Sequence, residues 1–327
     1  MKQKILITRA VFPEVIEHLS QHFEVESNQS DEAFSEAELI RRLQGKAGVY
    51  ANPTTLMPAD VIRSAPGLRA ICNMAVGYNN IDVPAASAAG IMVTNTPDVL
   101  NETTADFGWT LLMATARRVT ESEHFLRAGL WKKWSYDAFM GVDVHGSTLG
   151  IIGMGRIGQA IARRSMGFNM KVIYNNRSRL APELEAEANN ARHVSREELL
   201  RNADHVVLVL PYSKESHHLI GATELAMMKS TATLINIARG GIVDDAALIE
   251  ALKAGKIAAA GLDVFENEPA FNPGFLGLSN VVLTPHIGSA SGPTRRAMAD
   301  CAADNLIAAL SGHRPPNLLN PDVFQQQ

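Results

Sequence analysis

The chain runs to 327 residues, long for one domain and enough for two. Hydrophobic residues make up 46% and charged residues 20%, ordinary for a soluble globular enzyme, and a net charge of −4 gives no reason to expect nucleic acid as a partner. Cys72 and Cys301 are the only cysteines and fit neither a disulfide framework nor a metal-ligand spacing, so no metal is expected and a reducing cytoplasm is the expected compartment.

Met1-Lys2-Gln3-Lys4-Ile5-Leu6-Ile7-Thr8 runs straight into a β-type stretch, without the apolar segment and cleavage site of a signal peptide. The apolar run around Leu111 is too short and too interrupted to span a bilayer, so no membrane is expected either. Short apolar runs alternate with helical patterns, which predicts α/β architecture with parallel sheets. Strands are expected at residues 5–8, 48–51, 70–74 and 91–95, with helices near 13–21, 35–43 and 58–65 between them. One long helix is expected over 102–127, with Asn101 as its N-cap and Gly129 as its stop. Its first half (Ala105, Phe107, Trp109, Leu111, Leu112, Met113, Ala114) is apolar nearly all round, the pattern of a helix buried on several sides and open to reading as an interdomain core or a subunit interface. In the stretch that follows, Trp134, Tyr136 and Phe139 read as ordinary loop packing, with the alternative that Trp134 shapes a substrate pocket.

A second α/β series begins at residue 149 and continues through 172–174, 205–210, 234–237, 259–263 and 281–284, six strands and enough for a doubly wound sheet. After it only one good helix remains, over 293–310 with Gly312 as its stop. One helix cannot form a domain, so it is expected to return to the first. The boundaries this predicts are a discontinuous first domain, 1–100 and 287–327, and an inserted one, 101–286.

Between the strand Thr148-Leu149-Gly150-Ile151-Ile152 and a following helix lies Gly153-Met154-Gly155-Arg156-Ile157-Gly158. A G-x-G-x-x-G loop in that context points to a dinucleotide. Gly153 permits the tight turn, Gly155 lets the backbone approach a pyrophosphate, and Gly158 lets helix and strand pack closely, while the helix N-terminus faces the phosphates. The next strand ends at Asn175, where NAD enzymes carry an acid for the ribose hydroxyls. Here Asn175-Asn176-Arg177-Ser178-Arg179 has no carboxylate to repel a 2′-phosphate and offers arginine and hydroxyl donors to it. NADP(H) is therefore the expected cofactor, with NAD(H) as the alternative if the arginines are only solvated.

Three ionisable residues fall near the carboxyl ends of later strands: Arg239, Glu268 and His286. Singly each has a mundane reading as a turn, a surface acid or a structural histidine. Together they match the needs of 2-oxo acid reduction, which are a cation for the carboxylate, a proton donor for the carbonyl oxygen and a hydride source.

Ile235-Asn236-Ile237-Ala238-Arg239-Gly240-Gly241-Ile242-Val243-Asp244, Gly261-Leu262-Asp263-Val264-Phe265-Glu266-Asn267-Glu268-Pro269 and Thr284-Pro285-His286-Ile287-Gly288-Ser289 resemble the signatures of the D-2-hydroxyacid dehydrogenase family. Ala75-Val76-Gly77-Tyr78-Asn79-Asn80-Ile81-Asp82 resembles its substrate-carboxylate loop, so the resemblance spans nearly the whole chain. Within the family the pattern is most similar to glyoxylate/hydroxypyruvate reductases, including those that reduce 2-ketogluconate. The resemblance implies a Rossmann domain inserted into a discontinuous flavodoxin-like substrate domain, a closing cleft and a homodimer. It implies that Arg239 binds the substrate carboxylate, that His286 gives the proton, that Glu268 holds His286 protonated, and that Val76 and Gly77 offer backbone N–H groups to the carboxylate. Thr104, Leu210, Pro211, Ile237, Ala238, Asp263 and Gly288 match positions around the cofactor. Alternatives left open are an NAD-dependent dehydrogenase of another specificity and a non-catalytic, cofactor-sensing interaction protein on the same scaffold.

Overall fold

The computed structural model describes residues 1–325. Its contacts divide the chain into two compact units, Met1–Leu100 with the segment from Ser291 onward, and Asn101–Ala290. In the first unit the strands β1 (Lys4–Ile7), β2 (Glu24–Ser27), β3 (Gly48–Ala51), β4 (Ala70–Asn73) and β5 (Met92–Thr94) form an all-parallel sheet in the order β2-β1-β3-β4-β5. That is the flavodoxin-like order. Successive side chains face opposite sides: Ile5, Ile7, Tyr50, Ala70 and Cys72 enter one core, and Leu6, Val49, Ala51 and Ile71 the other. Because helices cover both faces, β1, β3 and β4 are apolar at their central positions and show no polar alternation.

The helix Gly292–Leu310 belongs to this unit. Ser291 caps it by accepting from the Thr294 N–H, and Gly312 follows at φ +80°. Its Ala299, Ala302, Ala303 and Leu306 complete the core around Ile5, Ile7 and Tyr50, and the Tyr50 hydroxyl donates to the Ala299 carbonyl at 3.0 Å. Farther on, Leu318 bridges Thr94 antiparallel and the Leu319 N–H donates to the Val93 carbonyl at 2.8 Å. The returning chain thereby covers the β5 edge of the sheet.

The second unit holds β6 (Thr148–Ile152), β7 (Lys171–Asn175), β8 (Arg192–His193), β9 (His205–Leu208), β10 (Thr233–Asn236), β11 (Ala259–Leu262) and β12 (Val281–Leu283). All pair parallel, in the order β12-β11-β10-β9-β6-β7-β8. The direction of winding reverses between β6 and β9, and ligands of such sheets bind beyond the carboxyl ends at that switch point. Residues 287–290 group with this unit, where Asp263 accepts from the Ile287 and Gly288 N–H groups.

Four points of the sequence reading need correction. β2 reads Glu-Val-Glu-Ser and lies on a sheet edge, half-exposed, so it lacks the apolar run that marks its neighbours. β8 is a two-residue edge strand, too short to give any periodicity, and makes the sheet seven-stranded. The single helix expected over 102–127 is two, Asn101–Ala116 and Val119–Arg127. Arg118 separates them at φ 52°, a left-handed conformation that cannot continue an α-helix, and is fixed there by paired hydrogen bonds of 2.7 and 2.8 Å to Glu121. The first helix buries Ala105, Trp109, Leu111, Leu112 and Ala116, whereas the second buries nothing. Gly129 ends it at φ +67°. Trp134 and Tyr136 do not pack as ordinary loop residues: they are 78% and 82% exposed. Phe139 alone of the three is engaged, edge-on to Phe125 at 5.1 Å. Among the described residues no helix is long and apolar enough to cross a membrane.

Candidate active site

β6 runs directly into the glycine loop. Gly153 has φ +103°, and a side chain there would lie 2.6 Å from the Val209 carbonyl oxygen. A side chain at Gly158 would collide with the Gly153 carbonyl, so this glycine sets how closely the helix Arg156–Arg164 approaches the strand. At Gly155, the N-cap of that helix, a side chain would meet nothing within 4 Å. The helix start therefore faces open space, with no side chain capping its first N–H groups. Arg156 is exposed on the first turn and Ile157 half-buried against the core. A pyrophosphate suits such a position, because backbone donors and the positive dipole end meet it without a competing side chain.

The loop after β7 is tied down at most of its positions. Asn175 Nδ2 donates to the Val194 carbonyl at 2.9 Å, and Asn176 Oδ1 accepts from the Met154 N–H at 2.7 Å, joining this loop to the glycine loop. Arg179, expected to be available to a phosphate, instead holds buried Glu185 with bonds of 2.9 and 2.8 Å. Arg179 first, and then the Tyr174 hydroxyl at 2.7 Å, draw the Glu185 carboxyl down to about 2. Arg177 and Ser178 remain exposed. One further detail fits a bound dinucleotide. Thr104 Oγ1 is buried with no hydrogen-bond partner among the described residues, on the helix flanking Gly288, where it is free to bond a ligand group.

Arg239, Glu268 and His286 follow β10, β11 and β12, all at the same edge of the sheet. His286 Nδ1 lies 2.8 Å from Glu268 Oε2, and Glu268 Oε1 accepts from the Phe265 N–H at 2.7 Å. Burial pushes the Glu268 carboxyl up, but the hydrogen bond and charge of His286, with help from Phe265 and Arg239, outweigh it and leave the pKa below the ordinary value. Burial draws the half-buried Arg239 down and the Glu268 charge opposes that. Arg239 also donates to the Ala238 carbonyl at 2.7 Å. His286 sits at φ 54°, held by Asp263. Asp263 Oδ1 accepts from Thr284 Oγ1 and the Ile287 N–H, and Oδ2 from the Gly288 N–H, each at 2.8 Å.

A family described as "D-isomer specific 2-hydroxyacid dehydrogenase, NAD binding domain" matches residues 109–288. The chain belongs to the D-isomer-specific 2-hydroxyacid dehydrogenases. It is 49% identical to a glyoxylate reductase of Thermococcus kodakarensis, over 99% of this chain and 98% of that protein. The corresponding enzyme of Pyrococcus horikoshii is 48% identical with the same coverage. Among solved structures, an NADPH-dependent glyoxylate/hydroxypyruvate reductase from Sinorhizobium meliloti, bound to NADP and malonate, matches with a TM-score of 0.88 and 34% identity, over 98% of this chain and 97% of that one.

As a member of this dehydrogenase family the chain is an NAD(P)-dependent oxidoreductase. The glycine loop, residues 175–178, Leu210 and Pro211 after β9, buried Ile237 and Ala238 after β10, and Asp263 and Gly288 all gather at the carboxyl edge of the second sheet. Val76 and Gly77 lie in the first unit, in the loop that leaves β4. Sequence reading passed over three supporting residues. Asn236 ends β10 with its amide accepting from the Ala238 N–H at 3.0 Å and donating to the Arg239 carbonyl at 3.2 Å; a polar residue closing an apolar strand was the available signal. His218, at φ 50°, donates its N–H to the Gly241 carbonyl at 2.7 Å and pairs with Glu266 at 2.6 Å, linking three loops, and nothing in sequence spacing announces that. Buried Asp245 accepts from the Glu266 N–H at 3.1 Å.

Burial, and then the charges of Glu266 and Asp244, push the Asp245 carboxyl up to about 6 from 3.8. A carboxyl with a raised folded-state pKa contributes stability that is complete below 3.8 and lost as pH rises through about 6. Asp245→Asn keeps an acceptor oxygen and removes the ionisation. Its melting temperature relative to wild type should therefore rise between pH 4 and pH 7 in calorimetry; an offset equal at both pH values would contradict the assignment.

Proposed function

We propose that this chain reduces small 2-oxo acids to D-2-hydroxy acids, with glyoxylate and hydroxypyruvate as substrates, 2-ketogluconate as a further candidate, and NADPH preferred over NADH. The observation that carries the reading is the 2.8 Å Glu268–His286 pair within electrostatic reach of Arg239, on the sheet edge that the glycine loop shares. Near-half identity over the full length to glyoxylate reductases supports the substrate class.

A bound dinucleotide would supply the hydride. Gly155 and the first turn of Arg156–Arg164 would hold its pyrophosphate, and Thr104, Leu210, Pro211, Ile237, Ala238, Asp263 and Gly288 would surround the rest. Arg239 binds the substrate carboxylate through its planar fork and draws electron density from the neighbouring carbonyl. Val76 and Gly77 add N–H donors to that carboxylate. His286 pairs with Glu268 through Nδ1, which leaves Nε2 to pass a proton to the carbonyl oxygen. Glu268 fixes the ring and balances its charge, with its second oxygen engaged by Phe265. No step uses a metal.

NADPH preference rests on Asn175 in the position of the ribose acid and on exposed Arg177 and Ser178 beside it. A homodimer is the proposed assembly. Val119, Leu126, Leu130, Trp131, Trp134, Tyr136 and Met140 leave apolar side chains 50–82% exposed within one short segment, more than a monomer ordinarily shows. Free thiols at Cys72 and Cys301 agree with a cytoplasmic location.

Three measurements test this. His286→Gln should lower turnover with glyoxylate by about two to four orders of magnitude while NADPH affinity is kept, and near-normal turnover would remove His286 from its role. Arg177→Ala should raise the KM for NADPH about tenfold or more and leave that for NADH alone; unchanged discrimination would assign the preference elsewhere. Wild type should sediment as a dimer and the double variant Leu126→Glu, Trp131→Glu as a monomer; a monomeric wild type would end the assembly proposal.

A further inference from the structure

Buried asparagine amides of the first unit include Asn73, Asn80, Asn95 and, on the C-terminal helix, Asn305. None is explained by core packing alone, since burying an amide is unfavourable unless its hydrogen bonds are met. Two of their donors, those of Asn95 and Asn73, end on carbonyls of one short loop. Asn95 Nδ2 donates to the Val76 carbonyl at 2.8 Å, and Asn73 Nδ2 to the Gly77 carbonyl at 2.9 Å. The preceding carbonyl, Ala75, accepts from the Thr96 N–H at 2.9 Å. Three successive carbonyls are thus held from the protein side.

The two amides are themselves held. Asn73 and Asn80 form a reciprocal pair at 3.2 and 3.3 Å, and Asn80 donates onward to the carbonyls of Asn52 and Thr55 at 3.1 and 3.0 Å, in the loop after β3. Asn305 Nδ2 donates to the Asn95 carbonyl at 3.2 Å, bringing the C-terminal helix into the same network.

A trans peptide is planar, with its C=O and N–H pointing in opposite directions. Holding the Ala75, Val76 and Gly77 carbonyls inward therefore turns the Val76, Gly77 and Tyr78 N–H groups outward. Among the described residues no acceptor takes any of these three N–H groups, although the neighbouring Ala75 and Ile81 N–H groups both find one. Each held carbonyl also polarises its peptide and strengthens the N–H on the far side.

We propose that Asn73 and Asn95 are positioning residues for substrate binding: by anchoring the Gly77 and Val76 carbonyls they present the Gly77 and Tyr78 N–H groups, with that of Val76, as a preformed carboxylate cradle. Asn80 and Asn305 hold the two anchors in place. The cradle extends the pair of donors assigned above by one, Tyr78. The inference rests on the reading that this loop takes the substrate carboxylate.

Steady-state kinetics with glyoxylate, and separately with NADPH, on Asn95→Leu and Asn73→Asp tests it. Each variant should raise the KM for glyoxylate about tenfold or more, with turnover reduced far less and the KM for NADPH within about twofold. A KM for glyoxylate within twofold of wild type overturns the proposal, as does a parallel loss of NADPH affinity and turnover, the signature of general loosening. A measurement on wild type covers the case in which a variant fails to fold. With NADPH present, adding oxalate should slow hydrogen exchange across residues 75–78, and unchanged exchange overturns the cradle. Failure of the underlying reading looks different: wild type would then reduce no 2-oxo acid with either cofactor.

Discussion

Asp263 leaves β11 with both carboxylate oxygens turned onto the exit loop of β12. It accepts from Thr284, Ile287 and Gly288, and its own carbonyl accepts from the His286 N–H at 3.0 Å. These bonds fix the left-handed backbone that aims His286 toward Glu268. Left-handed geometry at a non-glycine residue costs of order 1–2 kcal/mol, while a hydrogen bond to a charged acceptor contributes about 1.5–3 kcal/mol. Three such bonds to one carboxylate outweigh one strained residue, so the loop stays where the carboxylate holds it. Burial pushes the Asp263 pKa up and the same donors work against that shift.

The three ionisable groups of the site lie within a single unit. Glu268 is half-buried and would gain protons from burial alone, yet the imidazole bond brings it back below its ordinary value. Arg239 loses hydration, but a guanidinium remains charged under any protein environment. The result is a fixed cation and an oriented imidazole, both set by backbone-anchored neighbours. Asn236 holds the Ala238–Arg239 turn, and Phe265 holds the far oxygen of Glu268. A site built this way needs little rearrangement of its own groups before a substrate arrives.

Much of this was legible in the sequence because the informative residues act locally. The glycines at 153, 155 and 158 each answer a steric demand of one turn, and the apolar runs of β1, β3 and β4 register burial on both faces. Arg239, Glu268 and His286 could be named because each follows a recognisable strand. Legibility failed where partners are distant or signals short. Edge strands β2 and β8 lack an apolar run, and the break at Arg118 depends on a turn conformation that no propensity encodes. Arg179 looked equivalent to Arg177 until Glu185, carried on a separate helix, was seen to hold it. The anchoring roles of Asn73 and Asn95 were invisible, since an amide's partner is a matter of three-dimensional neighbours.

The first unit is assembled from both ends of the chain, and this bears on the order in which the protein is made. Its sheet is synthesised first, but Ala299, Ala302, Ala303 and Leu306, which cover one face, come from the helix Gly292–Leu310. The whole second unit is translated in between. At about 5–20 residues per second, that leaves an apolar sheet face without its cover for on the order of ten to forty seconds. Asn101–Ala290, being continuous, has no such wait. On the ribosome the nucleotide-binding half therefore matures before the half that precedes it, and the exposed face of β1, β3 and β4 is the surface that a nascent-chain chaperone would meet.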